Sequence, residues 1–337
     1  MTEKENLLRA LSGQVPAWVP RFDIPQLGKD SQYPSSNMGV MLPILERKPL
    51  PNGMSVDIFG VEFEPTESTG GQMLPKPGDF ILDDIRKWRE VIKVPSIEGI
   101  NWEAMAKKAT ERVNREETAV SFGSGGGYFQ LLMNFMGFSE GLCALSEDPD
   151  EVLELIDYLA TFYDTITENI IDYIKPDIFN ISDDNATALN PFISREMYQK
   201  IFKPYQASAC KPAIERGLPI NMHDCGRCED FIDDWLDFNV SCWNPAQVSN
   251  DLVGIKEKYG NKLVLNGCWD AQGPAGWAGA SEEFIRSEVR RVIDTFAPGG
   301  GFCFRVLIYG PSDDQEAKNR AGWITDEYNK YGRNFYK

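Results

Sequence analysis

The chain has 337 residues, and its 34 Lys and Arg residues against 51 Asp and Glu residues give a formal net charge of −17 at pH 7. Hydrophobic residues make up 42% and charged residues 25% of the chain, which excludes a disordered, collagen-like or coiled-coil protein. An acidic protein repels phosphate backbones, so we expect no nucleic acid partner. One feature of the composition is unusual, because His223 is the single histidine.

The N-terminal segment and the cysteines indicate the compartment. The first residues, MTEKENLLRALSG, are charged and amphipathic and lack the apolar core of a signal peptide. No apolar run approaches the roughly 18 residues that a membrane span needs. Seven cysteines, an odd number in a chain large enough to fold without disulfides, indicate a reducing compartment. We therefore expect a cytoplasmic protein with no membrane segment.

The first part of the chain, residues 1–115, is irregular. Its first strand is predicted in AWVPRFD, and a second strand or a hairpin in SVDIFGVEFEP. Connections rich in Pro and Gly, such as KPLPNG and LPKPGD, lie between the apolar segments. No low-complexity linker follows, so we treat this region as an elaborated first part of one domain that spans residues 1–337.

Residues 116–337 alternate regularly between strands and helices. The predicted strands are TAVSFG, PDIFNISDD, LPINMHDCG, VSCWNPAQ, KLVLNGCWD and GFCFRVLIYG. The predicted helices are a long one from Asp148 to Ile174, one from about Ser194 to Gly217, EDFIDDWLDF, DLVGIKEKYG, SEEFIRSEVRRVIDTF and a last one from about Asp314 to Lys330. This alternation indicates parallel strands with crossover helices. We predict an α/β fold, a (β/α)8 TIM barrel, with its active site at the C-terminal ends of the strands.

The motif HDCGRC at one strand end carries the strongest chemical signal. Alternate residues of a strand point to the same side, so His223 and Cys225 can both face the barrel mouth while Asp224 turns away. An imidazole beside a thiolate is a typical zinc-ligand pair, and a neighbouring strand end can add a third thiolate, for which Cys268 is the first choice. Three protein ligands would leave the fourth position open for catalysis. The alternative is that His223 is an ordinary polar residue.

Other motifs at strand ends admit two interpretations each. The CGRC segment, Cys225 to Cys228, also fits a redox-active thiol pair at a helix start. Asp183 and Asp184 are candidate acid/base or positioning carboxylates, or they cap the following segment. The glycine run in GSGGGYF would allow an anion or cofactor to approach the backbone, but its spacing matches no phosphate-binding motif and a tight turn is favoured. Trp243 and Trp269 offer flat surfaces for a substrate, or they pack in the core.

Six segments, distributed in order over nearly the whole chain, resemble the uroporphyrinogen decarboxylase superfamily. They are KENLLRALSGQVPAWVP, VDIFGVEFE, FQLLMNFMGFSEGLCALSEDPDEVLELIDYL, ISDDNATALNPFISREMYQKIFKPY, INMHDCGRCEDFIDDWLDFNVSCWNPAQ and LVLNGCWDAQGP. The resemblance implies a (β/α)8 barrel. In its motifs the chain is most similar to the zinc-dependent corrinoid methyltransferase branch, which includes methylcobamide:coenzyme M methyltransferases and enzymes that demethylate methoxylated compounds.

This resemblance implies a metal-binding methyltransferase that uses zinc and a corrinoid (cobalamin) carried by a partner protein, with a small thiol or a methoxylated or methylated compound as substrate. His223 and Cys225 match the H-x-C part of the branch's signature, and the later cysteine would be Cys268 or, alternatively, Cys303. Further proton transfer would fall to carboxylates such as Asp183 or Asp184, to Tyr or to water.

The same superfamily implies two alternative functions. One is a metal-independent decarboxylase of the uroporphyrinogen type, whose substrate carboxylates are gripped by an arginine-rich N-terminal segment. The corresponding stretch, VPRFDIPQLGKDSQYP, has Arg21 alone. The other is a non-catalytic protein that binds a corrinoid or a tetrapyrrole.

Overall fold

The computed structural model describes residues 1–22, 32–66, 71–306, 308 and 314–337. The strands in these ranges are β1 (Asn37–Gly39), β2 (Lys48–Pro49), β3 (Ser55–Val56), β4 (Glu62–Thr66), β5 (Gln72–Pro75), β6 (Ala119–Phe122), β7 (Ile178–Asp183), β8 (Ile220–Asp224), β9 (Val240–Ala246), β10 (Val264–Gly267) and β11 (Phe302–Phe304). The helices are α1 (Glu3–Leu11), α2 (Trp88–Val91), α3 (Trp102–Thr110), α4 (Tyr128–Met136), α5 (Phe138–Glu147), α6 (Pro149–Ile174), α7 (Arg195–Met197), α8 (Lys203–Glu215), α9 (Ile232–Leu236), α10 (Leu252–Tyr259), α11 (Glu282–Phe296) and α12 (Gln315–Lys330).

Local sequence explains where the main helices begin. α6 has Pro149 at its first position, where a missing N–H costs nothing. The side chain of Ser194 accepts a hydrogen bond from the backbone N–H of Met197 at the start of α7. At the start of α12, the side chain of Asp314 accepts a hydrogen bond from the backbone N–H of Glu316. The helices predicted in these three regions are therefore confirmed, with the middle one divided into α7, a π-helical turn and α8.

A parallel sheet of seven strands forms the centre of the fold, in the order β1-β6-β7-β8-β9-β10-β11. From β6 to β11, neighbouring strands are also successive in the chain and are joined by helices, so this part of the sheet curls in one direction. The predicted α/β fold with parallel strands is confirmed. Of the described residues, Arg21 forms a single parallel bridge to Phe304 beside β11, and its carbonyl accepts a hydrogen bond from the Ser36 hydroxyl next to β1. An eighth strand and full closure remain a prediction.

The irregular N-terminal part adds a second sheet. Strands β2 to β5 pair antiparallel in the order β2-β3-β4-β5, and the predicted hairpin in SVDIFGVEFEP corresponds to β3 and β4. Phe63 of β4 and Val61, which directly precedes β4, are buried in the main apolar cluster together with residues of α4 and α6. The small sheet is thus packed against helices that surround the parallel sheet.

Side chains alternate between the two faces of the parallel sheet. The outward set, which is packed under the helices, includes Phe122, Phe179, Met222, Trp243 and Leu265. The inward set at the N-terminal ends of the strands packs against α1 and consists of Ala119, Ile178, Cys242, Val264 and Cys303 with Leu7, Leu11 and Phe22. This apolar layer closes one end of the sheet, so polar inward side chains are left for the opposite, C-terminal end.

In the described part of the chain, no helix combines the length and the apolar character needed to cross a membrane.

A buried carboxylate joins the helices that follow β7 and β8. The side chain of Asp234 in α9 is 1% exposed and lies 2.6 Å from Nε of Arg195 and 2.8 Å from Nζ of Lys203. Gln199 donates a third hydrogen bond to it. Burial acts to raise the pKa of Asp234, but the bonds from Lys203, Arg195 and Gln199 outweigh burial and lower it. The ionised carboxylate therefore stabilises the contact between these helices.

We predict that Asp234→Asn lowers the free energy of unfolding by about 2 kcal/mol at neutral pH, because it leaves two cations facing an amide. A carboxylate whose pKa is lowered by folding contributes stability above its ordinary value of 3.8 and loses it as the pH falls through the folded value. The difference between wild type and variant should therefore shrink between about pH 5 and about pH 2 in urea unfolding curves.

Asp237→Asn is the matched control, because the side chain of Asp237 is 67% exposed and forms its ion pair with Lys203 at the surface. We expect it to change stability by less than about 0.5 kcal/mol. Equal stability of wild type and Asp234→Asn at neutral pH would contradict the role assigned to this carboxylate.

Candidate metal centre

Strand register brings together three polar residues at the ends of β7 and β8, namely Asp184, His223 and Cys225. In β8, Met222 and Asp224 face outward, so His223 and Cys225 face inward, as the period of two predicts. The parallel pairing of Asp183 with Asp224 then places the next residue of each chain segment, Asp184 and Cys225, side by side at the C-terminal end of the sheet.

The side chains of Asp184, His223 and Cys225 converge. Nε2 of His223 lies 3.6 Å from Sγ of Cys225 and 3.8 Å from Oδ1 of Asp184. One donor atom from each of the three residues lies within 4.8 Å of the other two. The backbone N–H of Cys225 donates a hydrogen bond of 3.2 Å to Oδ1 of Asp184, which fixes the carboxylate next to the thiol.

Asn244 on β9 determines which nitrogen of His223 is free. The Asn244 amide nitrogen donates to Oδ1 of Asn221 and to the carbonyl of Met222, so its oxygen is the atom that faces the imidazole. This oxygen lies 3.0 Å from Nδ1 of His223 and accepts its proton. Nε2 is therefore left with a lone pair directed toward Asp184 and Cys225, the arrangement that orients metal-binding histidines in proteins.

The electrostatics of the site favour a cation between the three side chains. Burial lowers the pKa of His223, while Asp184 acts in the opposite direction, so the imidazole is a neutral donor. Burial and then the carboxylate of Asp184 raise the pKa of the Cys225 thiol. A neutral imidazole, a thiol whose ionisation needs a nearby positive charge, and a carboxylate form a donor set that fits zinc.

The two cysteines predicted as third ligand lie elsewhere. Cys268 is buried in the main apolar cluster, its backbone N–H donates to the carbonyl of Ala246, and Lys256 is the charged group that acts on its thiol. Cys303 lies in the apolar layer against α1. Burial raises the pKa of both thiols. Among the described residues, the side chain that converges with His223 and Cys225 is the carboxylate of Asp184, and the structure does not bring Cys268 or Cys303 into this group. A thiol as third ligand remains a prediction.

Asp183 faces away from this group. Its carboxylate accepts hydrogen bonds from the backbone N–H groups of Phe129 and Gln130 at the start of α4 and from the side chain of Gln206. It is 3% exposed, and burial followed by Asp224 raises its pKa. The structure therefore separates the two predicted carboxylates, with Asp184 at the candidate metal centre and Asp183 behind the sheet.

The glycine run before α4 is a close-packed turn. A Cβ atom at Gly123 would lie 1.8 Å from the carbonyl oxygen of Asn180, and one at Gly127 would lie 2.9 Å from that of Ser182. The helix start that these glycines expose to β7 already binds the Asp183 carboxylate. The favoured interpretation of a tight turn is thus supported by the packing.

The structure also shows the surroundings of the CGRC thiols and of the two tryptophans. Cys228 is buried and its thiol donates to Asp224 and to the carbonyl of Cys225, and burial raises its pKa, whereas a redox-active pair requires a thiolate with a lowered pKa. Trp243 is fully buried and its ring lies 5.7 Å from that of Trp235 in the core. Trp269 lines the cleft beside the candidate centre.

The cleft at this end of the sheet has a volume of about 260 Å³. Its polar lining comes from Cys225, Gln247, Ser249, Asp270, Gln272 and Arg305, and its apolar lining includes Ala186, Pro245, Val248 and Trp269. Sequence reasoning assigned no role to Asn244 or Arg305. The signal that could have pointed to Asn244 is the repetition of asparagine at inward positions of four successive strands, Asn180, Asn221, Asn244 and Asn266.

Comparison with known proteins places the chain in a family. The family model described as uroporphyrinogen decarboxylase (URO-D) matches residues 56–306, which is about three quarters of the chain. The protein belongs to the uroporphyrinogen decarboxylase family. Among solved structures, a methyltransferase from Methanosarcina mazei is similar, with a TM-score of 0.59 and 15% sequence identity over 98% of this chain and 99% of that one. A likeness at this identity shows a shared fold. No match was found among curated proteins.

Proposed function

We propose that this member of the uroporphyrinogen decarboxylase family is a zinc-dependent methyltransferase. It would transfer a methyl group between a corrinoid carried by a partner protein and a small thiol or a methoxylated or methylated compound. The observation that carries the proposal is the convergence of Asp184, His223 and Cys225 within 4.8 Å at the C-terminal end of the sheet. The methyltransferase fold neighbour is consistent with this proposal.

Asp184, His223 and Cys225 would hold the zinc. Three protein ligands leave a fourth position for a substrate, as in catalytic zinc sites. When bound, zinc supplies a Lewis acid that lowers the pKa of a coordinated thiol or polarises the heteroatom of a methyl ether. Asn244 supports the site, because its hydrogen bond to Nδ1 keeps Nε2 of His223 unprotonated.

The other residues of the cleft bind and orient the substrate. Trp269 and Pro245 offer an apolar wall, and the open side of the cleft lets a carrier protein approach. In transfer to a thiol, a methylated corrinoid on the partner would supply the methyl group and keep the electron pair of the broken bond, and the S–H proton would go to water as sulfur bonds to the methyl carbon. In demethylation of an ether, a reduced corrinoid on the partner would accept the methyl group, and the released oxygen would take a proton from water.

The size of the cleft argues against the decarboxylase alternative. A volume of about 260 Å³ lies below the usual range of about 300–1,000 Å³ for ligand pockets, which suits a small molecule better than a tetrapyrrole. Among the described residues that line it, Arg305 is the one cation. A tetrapyrrole with several carboxylates would need more than one cation to bind it.

One prediction of the proposed function concerns zinc content. We expect about one zinc per chain by elemental analysis, and we expect Asp184→Asn, His223→Ala and Cys225→Ser each to weaken zinc affinity by more than the roughly 10–100-fold typical of changes outside the ligands. Cys268→Ser and Cys303→Ser are matched controls and should retain the metal. Loss of zinc in Cys268→Ser together with normal binding in Asp184→Asn would restore the second thiol as ligand.

Another prediction of the proposed function concerns turnover. The zinc-loaded protein should demethylate methylcobalamin with a thiol, or methylate cob(I)alamin with a methoxyarene, and the change should be visible in the corrinoid absorbance. His223→Ala should lower the rate at least about a hundredfold, because a ligand is lost, while Cys303→Ser should keep it. Tight corrinoid binding with no methyl transfer to or from any substrate of the panel would instead indicate the non-catalytic binding protein.

A further inference from the structure

We propose that Arg305 binds a carboxylate of the small substrate, so that the substrate of this site is a small monocarboxylic acid with an apolar body. The assignment of the reacting heteroatom to the metal rests on the proposed function. The contact between Arg305 and a carboxylate does not, because it follows from the cleft itself.

The position of Arg305 follows from the end of β11. Phe302 and Phe304 face outward into the main apolar cluster, and the ring of Phe304 stacks on Tyr328 with 5.3 Å between the centroids. Cys303 faces inward. By the same alternation, Arg305 faces inward one step nearer the C-terminal end, and it lines the cleft together with Cys225.

Asn244 links Arg305 to the candidate metal centre. Nη1 of Arg305 donates a hydrogen bond to Oδ1 of Asn244, the same oxygen that accepts the proton on Nδ1 of His223. The guanidinium group is therefore held at a fixed place, one amide away from a candidate ligand. A substrate whose heteroatom approaches Cys225 and His223 would bring its other end within reach of this cation.

The chemistry of the cleft selects the ligand class. A guanidinium group has five N–H donors in a planar fork that matches the two oxygens of a carboxylate. The ionisable groups among the described lining residues are Cys225, Asp270 and Arg305. These lining residues therefore include one cation, Arg305, and one carboxylate, Asp270. Asp270 disfavours a second negative charge on the ligand. Pro245, Val248 and Trp269 provide apolar contacts for its body.

The test compares two ligands of the same shape. We would titrate zinc-loaded protein by calorimetry with 3-mercaptopropionate and with its neutral amide, 3-mercaptopropanamide. We expect the acid to bind about 10–100-fold more tightly, the effect of a hydrogen bond between charged groups. Arg305→Gln should remove this preference, and Arg305→Lys should keep part of it, because lysine retains the charge and loses the fork. Zinc content is measured for each variant.

Equal binding of the acid and the amide by the wild type would overturn the proposal, and so would an unchanged preference in Arg305→Gln. Tighter binding of 3-mercaptopropane-1-sulfonate than of the carboxylate would overturn the choice of a carboxylate. A second arm uses butyrate and butyramide with metal-free protein. A preference for butyrate that Arg305→Gln removes would support the Arg305 contact even if zinc binding, and with it the proposed function, fails.

Discussion

The parallel register between β7 and β8 is the constraint on which the candidate site depends. It pairs Asp183 with Asp224 and Ser182 with His223, and so it brings Asp184 next to Cys225 and His223. Because side chains alternate along a strand, a slip of one residue would turn His223 into the helix layer and bring Asp224 to the mouth. Burial of the outward residues, such as Met222 and Ile181, makes such a slip costly and thereby fixes the site.

The same alternation divides neighbouring polar residues between structure and chemistry. Asp183 and Asp224 face outward and accept hydrogen bonds from α4 and from Asn185, which tie the loops at the strand ends to the sheet. Asp184, His223 and Cys225 face inward with one donor atom each turned toward a common point. Asn244 then connects this group to Arg305, so one buried amide orients both the candidate ligand and the candidate substrate contact.

Much of this arrangement could be predicted from the sequence, and the reasons why the rest could not are local. The apolar runs of β6 to β11 and the inward pairing of His223 with Cys225 follow from the period of two. The identity of the third donor does not follow from this period. Cys268 follows a shift in register between β9 and β10 and has a positive φ of 58°, so the strand alternation no longer gives the direction of its side chain.

The roles of the adjacent residues Asp183 and Asp184 could not be assigned from the sequence either. Whether Asp183 or Asp184 faces inward depends on the residue at which β7 pairs with β8, and a sequence does not reveal pairing registers. The hydrogen bond between Asn244 and His223 joins residues 21 positions apart and has no local signature. The repeated inward asparagines would have indicated a polar interior, but not which of them contacts the histidine.

The claim that one thiolate, one imidazole and one carboxylate form the metal site is tested most directly by zinc X-ray absorption spectroscopy on the loaded protein. The account predicts one sulfur at about 2.3 Å and nitrogen or oxygen ligands at about 2.0–2.2 Å, with the sulfur lost in Cys225→Ser. Two protein sulfur ligands in the absence of added thiol, or a first shell without sulfur, would contradict it.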